Sequence, residues 1–363
     1  MTWIPEMCIL MHMAEGRTRV AVLGASGYTG GELVRLLAAH PSLEVTFLGG
    51  QTAAGKTLAE VHPHLAQLPI GAEVLQAGDP GDVAAAADLV FAALPHGASA
   101  EIVPSLFETG RVVIDLAGDF RLPADAYPEW YGFDHPAPDL LDAAVYGLPE
   151  LFADRIAATR LVANPGCYPT PVILGLAPLL AAGLVEPGSI RVDGKTGLSG
   201  AGRSGAEPMS FAATEDAIRP YRVPHHQHTP EMERGLELAT GIAPTVLFVP
   251  HLVPTVRGVL VTTYASLVEG ATTATLTECL VAAYVGRPFV RVLPPGEMVD
   301  SKRTRGTNVV ELQAVADPRS GTAVVLGAVD NLVKGAAGQA IQNANLVLGL
   351  LEETGLPSLA VYP

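Results

Sequence analysis

Hydrophobic residues follow two different patterns on either side of residue 165. In the first part, short apolar runs at 20–23, 45–48, 89–94, 112–116 and 161–163 alternate with amphipathic stretches. Short, mostly apolar runs are typical of strands buried on both faces, and the amphipathic stretches between them are typical of crossover helices. This alternation predicts an α/β fold with a Rossmann-type doubly wound parallel sheet.

The second part predicts a different architecture. Its predicted strands lie at 190–193, 245–249, 258–267, 289–292, 308–316 and 322–329, with one clear helical pattern at 276–285 between them. They indicate an α+β domain with a mixed or antiparallel sheet, whose open face would suit an oligomer interface. A length of 363 residues also favours two domains.

We therefore divide the chain into a first domain at 17–165 and a second, catalytic and oligomerisation domain at 166–330. A helical pattern at 331–352, rich in small residues, is expected to return to the first domain and complete it. Residues 1–16 are expected to be a flexible extension.

Composition and charge exclude several classes of protein. The chain is 49% hydrophobic and 16% charged, which is typical of a globular protein, and its net charge of −15 includes no basic cluster for nucleic acid. No apolar run is long enough for a membrane span. The three cysteines, Cys8, Cys167 and Cys279, are too far apart for a metal site or disulfide framework, which favours a reducing, cytoplasmic compartment.

A glycine-rich turn follows the first strand and opens the first helix. The sequence from Gly24 to Gly30 is GASGYTG, and glycines there let a backbone approach a pyrophosphate at a helix N-terminus. The predicted cofactor-binding residues of this turn are Gly24, Ser26, Gly27, Tyr28, Thr29 and Gly30. Pro95 and His96 end a later strand where the nicotinamide half would lie, although His96 also suits a structural role.

The second strand favours NADP over NAD as cofactor. It ends in Gly49-Gly50-Gln51-Thr52, without the carboxylate that usually binds the ribose hydroxyls of NAD. Ser26, Thr52 and Lys56 are candidates for a 2′-phosphate, and Lys56 equally suits a solvated loop.

Cys167 stands at a second strand-to-helix turn, in the sequence Asn164-Pro-Gly-Cys-Tyr-Pro-Thr170. The free N–H groups and the positive end of the helix favour a thiolate, which is the nucleophilic form. A lone cysteine is also often a buried small hydrophobe. A thiolate beside a nicotinamide indicates aldehyde or acyl redox chemistry through a thioester.

Five segments between about 19 and 351 carry a family resemblance. GASGYTGGEL, ANPGCYPT, HQHTPE, PHLVPTVRG and DNLVKGAAGQA, in this order, resemble the N-acetyl-gamma-glutamyl-phosphate reductases of arginine biosynthesis, relatives of aspartate-semialdehyde dehydrogenase. The resemblance implies NADPH-dependent reduction of an acyl phosphate to N-acetyl-glutamate semialdehyde with release of phosphate. We also expect a homodimer or homotetramer and no metal.

The resemblance also implies residue roles. Cys167 would attack the acyl phosphate, and His228 would act as acid and base with Glu231 orienting its ring, while His226 is left open for the same task. Asn331, Lys334 and Gly335 would contact the cofactor. The acidic chain needs cations for an anionic substrate, and the candidates are Arg121, Arg203 and Arg257, with Ser199 and Gly200 in a loop suited to phosphate. Which arginine meets which anion is open, and His251 would contact substrate or end a strand.

Three other readings compete with this one. Aspartate-semialdehyde dehydrogenase has the same fold and chemistry, but HQHTPE and PHLVPTVRG favour the acetylglutamyl enzyme. An NADP-binding sensor without chemistry would be expected to have lost Cys167, and a glyceraldehyde-3-phosphate-type dehydrogenase normally has a different cysteine turn.

Overall fold

The computed structural model describes residues 16–203 and 211–362. The extension expected at 1–16 lies outside the described residues except for Gly16.

A parallel sheet forms the core of the first part of the chain. Its strands are β1 Thr18–Leu23, β2 Leu43–Gly49, β3 Leu89–Ala92, β4 Val112–Asp115, β5 Val145–Tyr146 and β6 Leu161–Ala163. Within the described residues, their order is β2-β1-β3-β4-β6-β5, and each neighbouring pair is parallel. The doubly wound sheet predicted from the apolar runs is confirmed. The order reverses between β1 and β3, so the glycine turn and Pro95 follow strand ends at the crevice where such sheets bind ligands.

Helices cover both faces of this sheet. They are α1 Tyr28–Leu37, α2 Leu58–Val61, α3 Pro80–Ala86, α4 Ala98–Glu108, α5 Tyr127–Trp130 and α6 Pro149–Ala157. Helix α1 buries Leu33, Val34, Leu36 and Leu37 against the sheet, which explains its amphipathic pattern.

A mixed sheet forms the core of the second part. Its strands are β7 Ile190–Thr196, β8 Arg219–Pro220, β9 Val246–Leu252, β10 Val259–Ser266, β11 Val290–Val292, β12 Val310–Asp317 and β13 Thr322–Val329. In the described part of the chain their order is β11-β12-β13-β10-β7-β9-β8, with β10 antiparallel to both neighbours and β7 parallel to β9. The predicted mixed sheet is confirmed.

The remaining helices are α7 Pro169–Ala181, α8 Phe211–Thr214, α9 His228–Thr240, α10 Thr273–Ala283 and α11 Gly338–Val347. Helix α7 packs against both α9 and α10, and all three cover one face of the mixed sheet. The opposite face exposes Arg191, Leu247 and Tyr264.

The expectation of one clear helix among the later strands is wrong, because α9 is a second one. Its buried face consists of Thr229, Glu231, Met232, Gly235 and Leu236, so polar residues and a glycine interrupt the apolar stripe. The helix expected at 276–285 begins at Thr273, where Thr272 and Thr275 form a capping box.

The C-terminal segment approaches the first sheet. A π-helix, Val333–Ala337, leads into α11, which packs against α6 and contacts β4. Gly147, which directly follows β5, permits this approach, since a Cβ built there would lie 2.5 Å from Asn343 Nδ2 of α11.

Candidate active site

Cys167 occupies the turn between β6 and α7. The backbone N–H of the preceding Gly166 donates to Glu231 Oε1 at 2.7 Å, which ties the turn to α9. On the other side, a Cβ built on Gly335 would lie 2.8 Å from Cys167 Cβ. The π-helix therefore passes directly over the cysteine, and Gly335 is the residue type that allows it.

The protonation state of Cys167 differs from the expectation. Burial raises the pKa of its thiol to about 12, and the negative charge of Glu231 acts in the same direction, while Arg121 and backbone N–H groups oppose it. The prediction of a thiolate in the free protein is wrong, since desolvation outweighs the helix end. The thiol must lose its proton as it reacts.

His228 begins α9 and lies beside the cysteine turn. A Cβ built on Gly166 would lie 2.4 Å from His228 Nε2, so the imidazole rests on the turn itself. Burial, followed by the charge of Arg121, lowers the pKa of His228 well below its usual value. The ring is therefore neutral and has one nitrogen free to accept a proton.

Glu231 is the centre of a buried hydrogen-bond network. Oε1 accepts from Gly166 N and from the Tyr146 hydroxyl at 2.9 Å, and Oε2 accepts from Arg121 Nη1 at 2.9 Å. Its distance to His228 Nε2 is 3.9 Å, too long for a hydrogen bond. Glu231, which was expected to orient the His228 ring, makes no hydrogen bond to it; its hydrogen bonds position the cysteine turn and Arg121, and its carboxylate lies near His228 as a charged group.

His226 packs against His228 and accepts a hydrogen bond from its backbone. Its Nδ1 accepts from the His228 backbone N–H at 3.1 Å, and the two rings lie 4.8 Å apart. Burial lowers the pKa of His226 to about 2. A neutral ring enclosed by Tyr168, Tyr221 and Phe248 is suited to holding the start of α9. His225, by contrast, is exposed and lies beside Trp130.

The three candidate arginines lie in different places. Arg121 is buried and joins the network of the cysteine turn through Glu231. Arg203 donates to the backbone oxygens of Ser26 at 3.0 Å and Val61 at 2.9 Å, so it lies against the glycine turn. Arg257 forms a two-pronged ion pair with Glu32 of α1 at 2.8 and 3.1 Å. Only Arg121 is held beside Cys167 by contacts.

The loop with Ser199 and Gly200 adjoins the segment before the π-helix. Asn331 Nδ2 donates to Ser199 Oγ at 2.9 Å, and Asn331 Oδ1 accepts from Gly258 N at 2.8 Å. A Cβ on Gly200 would lie 3.2 Å from Thr196 Oγ1, so this loop lies close over β7. Strand β9 carries His251, which pairs with Asp193 at 3.1 Å.

The glycine turn is shaped to bring backbone close to a ligand. Gly24 has a φ of +77°, and a Cβ there would meet Ala93 O at 2.1 Å. A Cβ on Gly30 would meet Gly24 O at 2.2 Å. Ser26, Gly27 and Thr29 are partly exposed on this turn, Tyr28 is exposed, and Thr52 is exposed after β2. The turn therefore fits a dinucleotide pyrophosphate.

Two other cofactor candidates differ in accessibility. His96, next to Pro95 at the end of β3, is exposed and accepts from Gly118 N at 3.0 Å. Lys334 is fully buried, and its ammonium donates to Glu150 at 2.6 Å and Gln342 at 2.8 Å. The charge of Lys334 is therefore compensated inside the protein, a correction to its expected use on the cofactor.

Among the described residues, no group of three or more His, Cys, Asp or Glu side chains could hold a metal ion. The same part of the chain contains no helix long and apolar enough to cross a membrane.

Two family models match nearly the whole chain. Residues 19–159 match the semialdehyde dehydrogenase NAD-binding domain, and residues 167–331 match the semialdehyde dehydrogenase dimerisation domain.

Curated relatives agree with these matches. A protein of Magnetococcus marinus named N-acetyl-gamma-glutamyl-phosphate reductase is 46% identical over 350 residues, which cover 96% of this chain and all of the relative. A protein of the same name from Symbiobacterium thermophilum is 46% identical over 350 residues, 95% of this chain and 99% of the relative.

Solved structures show the same fold at low identity. Aspartate semialdehyde dehydrogenase II of Vibrio cholerae, complexed with ASA, has a TM-score of 0.70 at 17% identity, covering 92% of this chain and 99% of that one. Aspartate semialdehyde dehydrogenase of Candida albicans with NADP has a TM-score of 0.68 at 18% identity, covering 92% and 98%.

Proposed function

The chain belongs to the N-acetyl-gamma-glutamyl-phosphate reductases, a family of oxidoreductases, and we propose that it uses NADPH to convert N-acetyl-glutamyl 5-phosphate into N-acetyl-glutamate 5-semialdehyde and phosphate. The proposed intermediate is a thioester on Cys167. The observation that carries this proposal is the thiol's position on a turn that is fixed by Glu231 and lies beside a neutral imidazole.

The reaction begins with the Cys167 thiol. Its sulfur attacks the acyl carbon and forms the S–C bond, the C–O bond to phosphate breaks, and the thiol proton passes to His228. The neutral His228 can accept this proton, and the nearby Glu231 carboxylate, at 3.9 Å, stabilises the imidazolium that results. Arg121 offsets negative charge beside the reacting carbon.

Bound NADPH supplies the hydride that reduces the thioester to a hemithioacetal. His228 then returns its proton to the oxygen that develops negative charge. When the hemithioacetal breaks down, its S–C bond breaks, the aldehyde leaves, and the hydroxyl proton restores the thiol. The residues proposed to hold the cofactor are those of the glycine turn, Thr52, Pro95, His96, Asn331 and Gly335.

Two features of the proposed cofactor site favour NADP over NAD. No carboxylate follows β2 at Gly49 to Thr52. The guanidinium of Arg203, which donates to Ser26 O at 3.0 Å, also adds positive charge to the turn. Both suit a 2′-phosphate better than free ribose hydroxyls.

The proposed function is tested in the reverse direction. N-acetyl-glutamate semialdehyde and phosphate should reduce NADP, while aspartate semialdehyde should not, and NAD should be a much poorer acceptor. Turnover of aspartate semialdehyde alone would move the substrate assignment to the related dehydrogenases. Tight NADPH binding with no turnover of either aldehyde would favour a sensor.

His228→Asn should lower kcat by about 10²- to 10⁴-fold, because the variant has no group to accept and return the proton. The dissociation constant for NADPH, measured by fluorescence titration, should change little. His225→Asn is the matched control, since this exposed ring lies outside the network, and it should keep wild-type rates. A near-normal rate in His228→Asn would transfer the acid–base role to His226.

We propose that the open face of the mixed sheet forms a homodimer interface. A homotetramer would contain the same interface twice. Leu247 and Val249 of β9 and Tyr264 of β10 lie on this face on either side of Arg191 and Asp193 of β7, and the matching family model is a dimerisation domain. Leu247→Glu should therefore shift the protein towards monomer in sedimentation equilibrium. Val285→Glu, also an exposed apolar position but at the end of α10, is the control. Equal masses for Leu247→Glu and wild type would exclude this face.

A further inference from the structure

Three buried polar atoms around Arg121 lack hydrogen-bond partners among the described residues. They are Arg121 Nε, the Tyr131 hydroxyl and His228 Nδ1. Buried polar atoms in native proteins are nearly always paired, so each orphan needs an explanation. The charge of Arg121 acts on both Tyr131 and His228, and Arg121 pairs with Glu231 beside the cysteine turn, so the three orphans share one neighbourhood and point to a polar ligand there.

The Tyr131 hydroxyl is fixed in position by its neighbours. A Cβ built on Gly118 would lie 2.1 Å from the hydroxyl oxygen, so the phenol rests directly on the Gly118 backbone. The ring packs edge-on against His96, with ring centres 5.1 Å apart. Tyr131 therefore lies beside His96, at the predicted nicotinamide end, and near enough to Arg121 for the charge of Arg121 to act on its phenol.

Tyr131 remains a hydrogen-bond donor throughout the physiological range. Burial raises the pKa of its phenol, and the positive charge of Arg121 is the largest opposing effect. The hydroxyl hydrogen is therefore available, and an anion is the ligand that best accepts hydrogen bonds from a phenol and a guanidinium together.

Arg121 has already committed a donor of each terminal nitrogen inside the protein. Its Nη1 donates to Glu231 and its Nη2 donates to the Leu116 carbonyl at 2.9 Å, whereas its Nε has no partner among the described residues. A phosphoryl group has three terminal oxygens and needs more than one donor. The phosphoryl group is also the part of the substrate bonded to the carbon that Cys167 attacks, whereas the α-carboxylate lies several bonds away.

We infer that the Tyr131 hydroxyl binds the phosphoryl group of the acyl phosphate, and inorganic phosphate in the reverse direction, together with Arg121 Nε. This assignment rests on the proposed function. Tyr131 directly follows α5, in a region in which the sequence indicated no functional residue.

Tyr131→Phe tests the inference by removing only the hydroxyl. In the reverse reaction the KM for phosphate should rise about tenfold or more, as expected for a lost hydrogen bond to a charged group. The KM values for N-acetyl-glutamate semialdehyde and NADP should stay within about twofold. Tyr127→Phe is the matched control, because the Tyr127 hydroxyl already bonds to the Gly118 carbonyl at 3.1 Å and to the Asp119 carbonyl. It should lower the melting temperature without raising the KM for phosphate.

A second measurement does not depend on turnover. Inorganic phosphate should raise the melting temperature of the wild type and of Tyr127→Phe, and should raise that of Tyr131→Phe less at the same concentration. If the wild-type protein turns over the proposed substrates and Tyr131→Phe has an unchanged KM for phosphate, or a raised KM for the semialdehyde only, the inference is overturned and the proposed function stands. Tyr131-dependent stabilisation by phosphate without wild-type turnover would instead overturn the proposed substrate and keep the anion site.

Discussion

Cys167→Ser is expected to reduce turnover by at least about 10³-fold and to leave NADPH affinity unchanged. A serine hydroxyl holds its proton far more tightly than a thiol, and the neutral, buried His228 is too weak a base to remove it before attack. Serine is no larger than cysteine, so it still fits under Gly335, where a Cβ would approach Cys167 Cβ to 2.8 Å. Steady-state kinetics and fluorescence titration with NADPH measure the two quantities separately.

Cys279→Ser is the matched control for this experiment. Cys279 is a partly buried thiol on α10, and its sulfur lies 3.4 Å from the Pro178 carbonyl, outside the network of the cysteine turn. This variant should keep wild-type turnover. Loss of NADPH binding in Cys167→Ser would mean that the residue is structural, and substantial turnover would exclude a thioester.

Lys334→Met should lower the free energy of unfolding by about 3–5 kcal/mol, because it leaves Glu150 as a buried charge without a cationic partner. The ammonium and the Glu150 carboxylate are 2.6 Å apart, and both side chains are almost completely enclosed. A loss of this size corresponds to a fall in melting temperature of roughly 10 °C. Differential scanning calorimetry, with NADPH titration beside it, is the measurement.

Two controls separate the effect of leaving a buried charge unpaired from the effect of breaking an ion pair in general. Arg234→Met breaks an exposed ion pair with Glu237 of nearly the same contact length, 2.7 Å, and should change stability by less than about 1 kcal/mol. The double variant Lys334→Met/Glu150→Met should recover much of the lost stability, since neither charge is then buried alone. If Lys334→Met has a normal melting temperature and weakened NADPH binding, Lys334 contacts the cofactor, as the family resemblance implied.

The sequence predicted the parts of the molecule whose cause is local. The parallel strands follow from apolar runs of strand length, and the shape of the glycine turn follows from a strand before it and an amphipathic helix after it. Helix α9 is different, because the residue it buries closest to the cysteine turn is Glu231, whose partners Arg121 and Gly166 are far away in the chain. The spacing of apolar residues does not reveal that a charged residue lies on the buried face of a helix.

The site residues divide in the same way. Cys167 and His228 stand in short motifs whose chemistry is visible in the residue types. The partners of Lys334 and the orphan hydroxyl of Tyr131 depend on which distant segments fold together, so neither could be inferred from spacing. The thiol's raised pKa was missed for a related reason, because the helix end is visible in the sequence and the depth of burial is not.

The hydrogen bond from Gly166 N to Glu231 Oε1 has a practical consequence for protein engineering. It uses a backbone donor, so it survives any substitution at residue 167 that keeps the turn. The neighbouring His228 ring is set by the same helix as Glu231, independently of the sulfur. Position 167 should therefore accept a side chain close in size to cysteine, such as selenocysteine, which would meet the same imidazole, whereas a bulkier side chain would collide with the π-helix at Gly335.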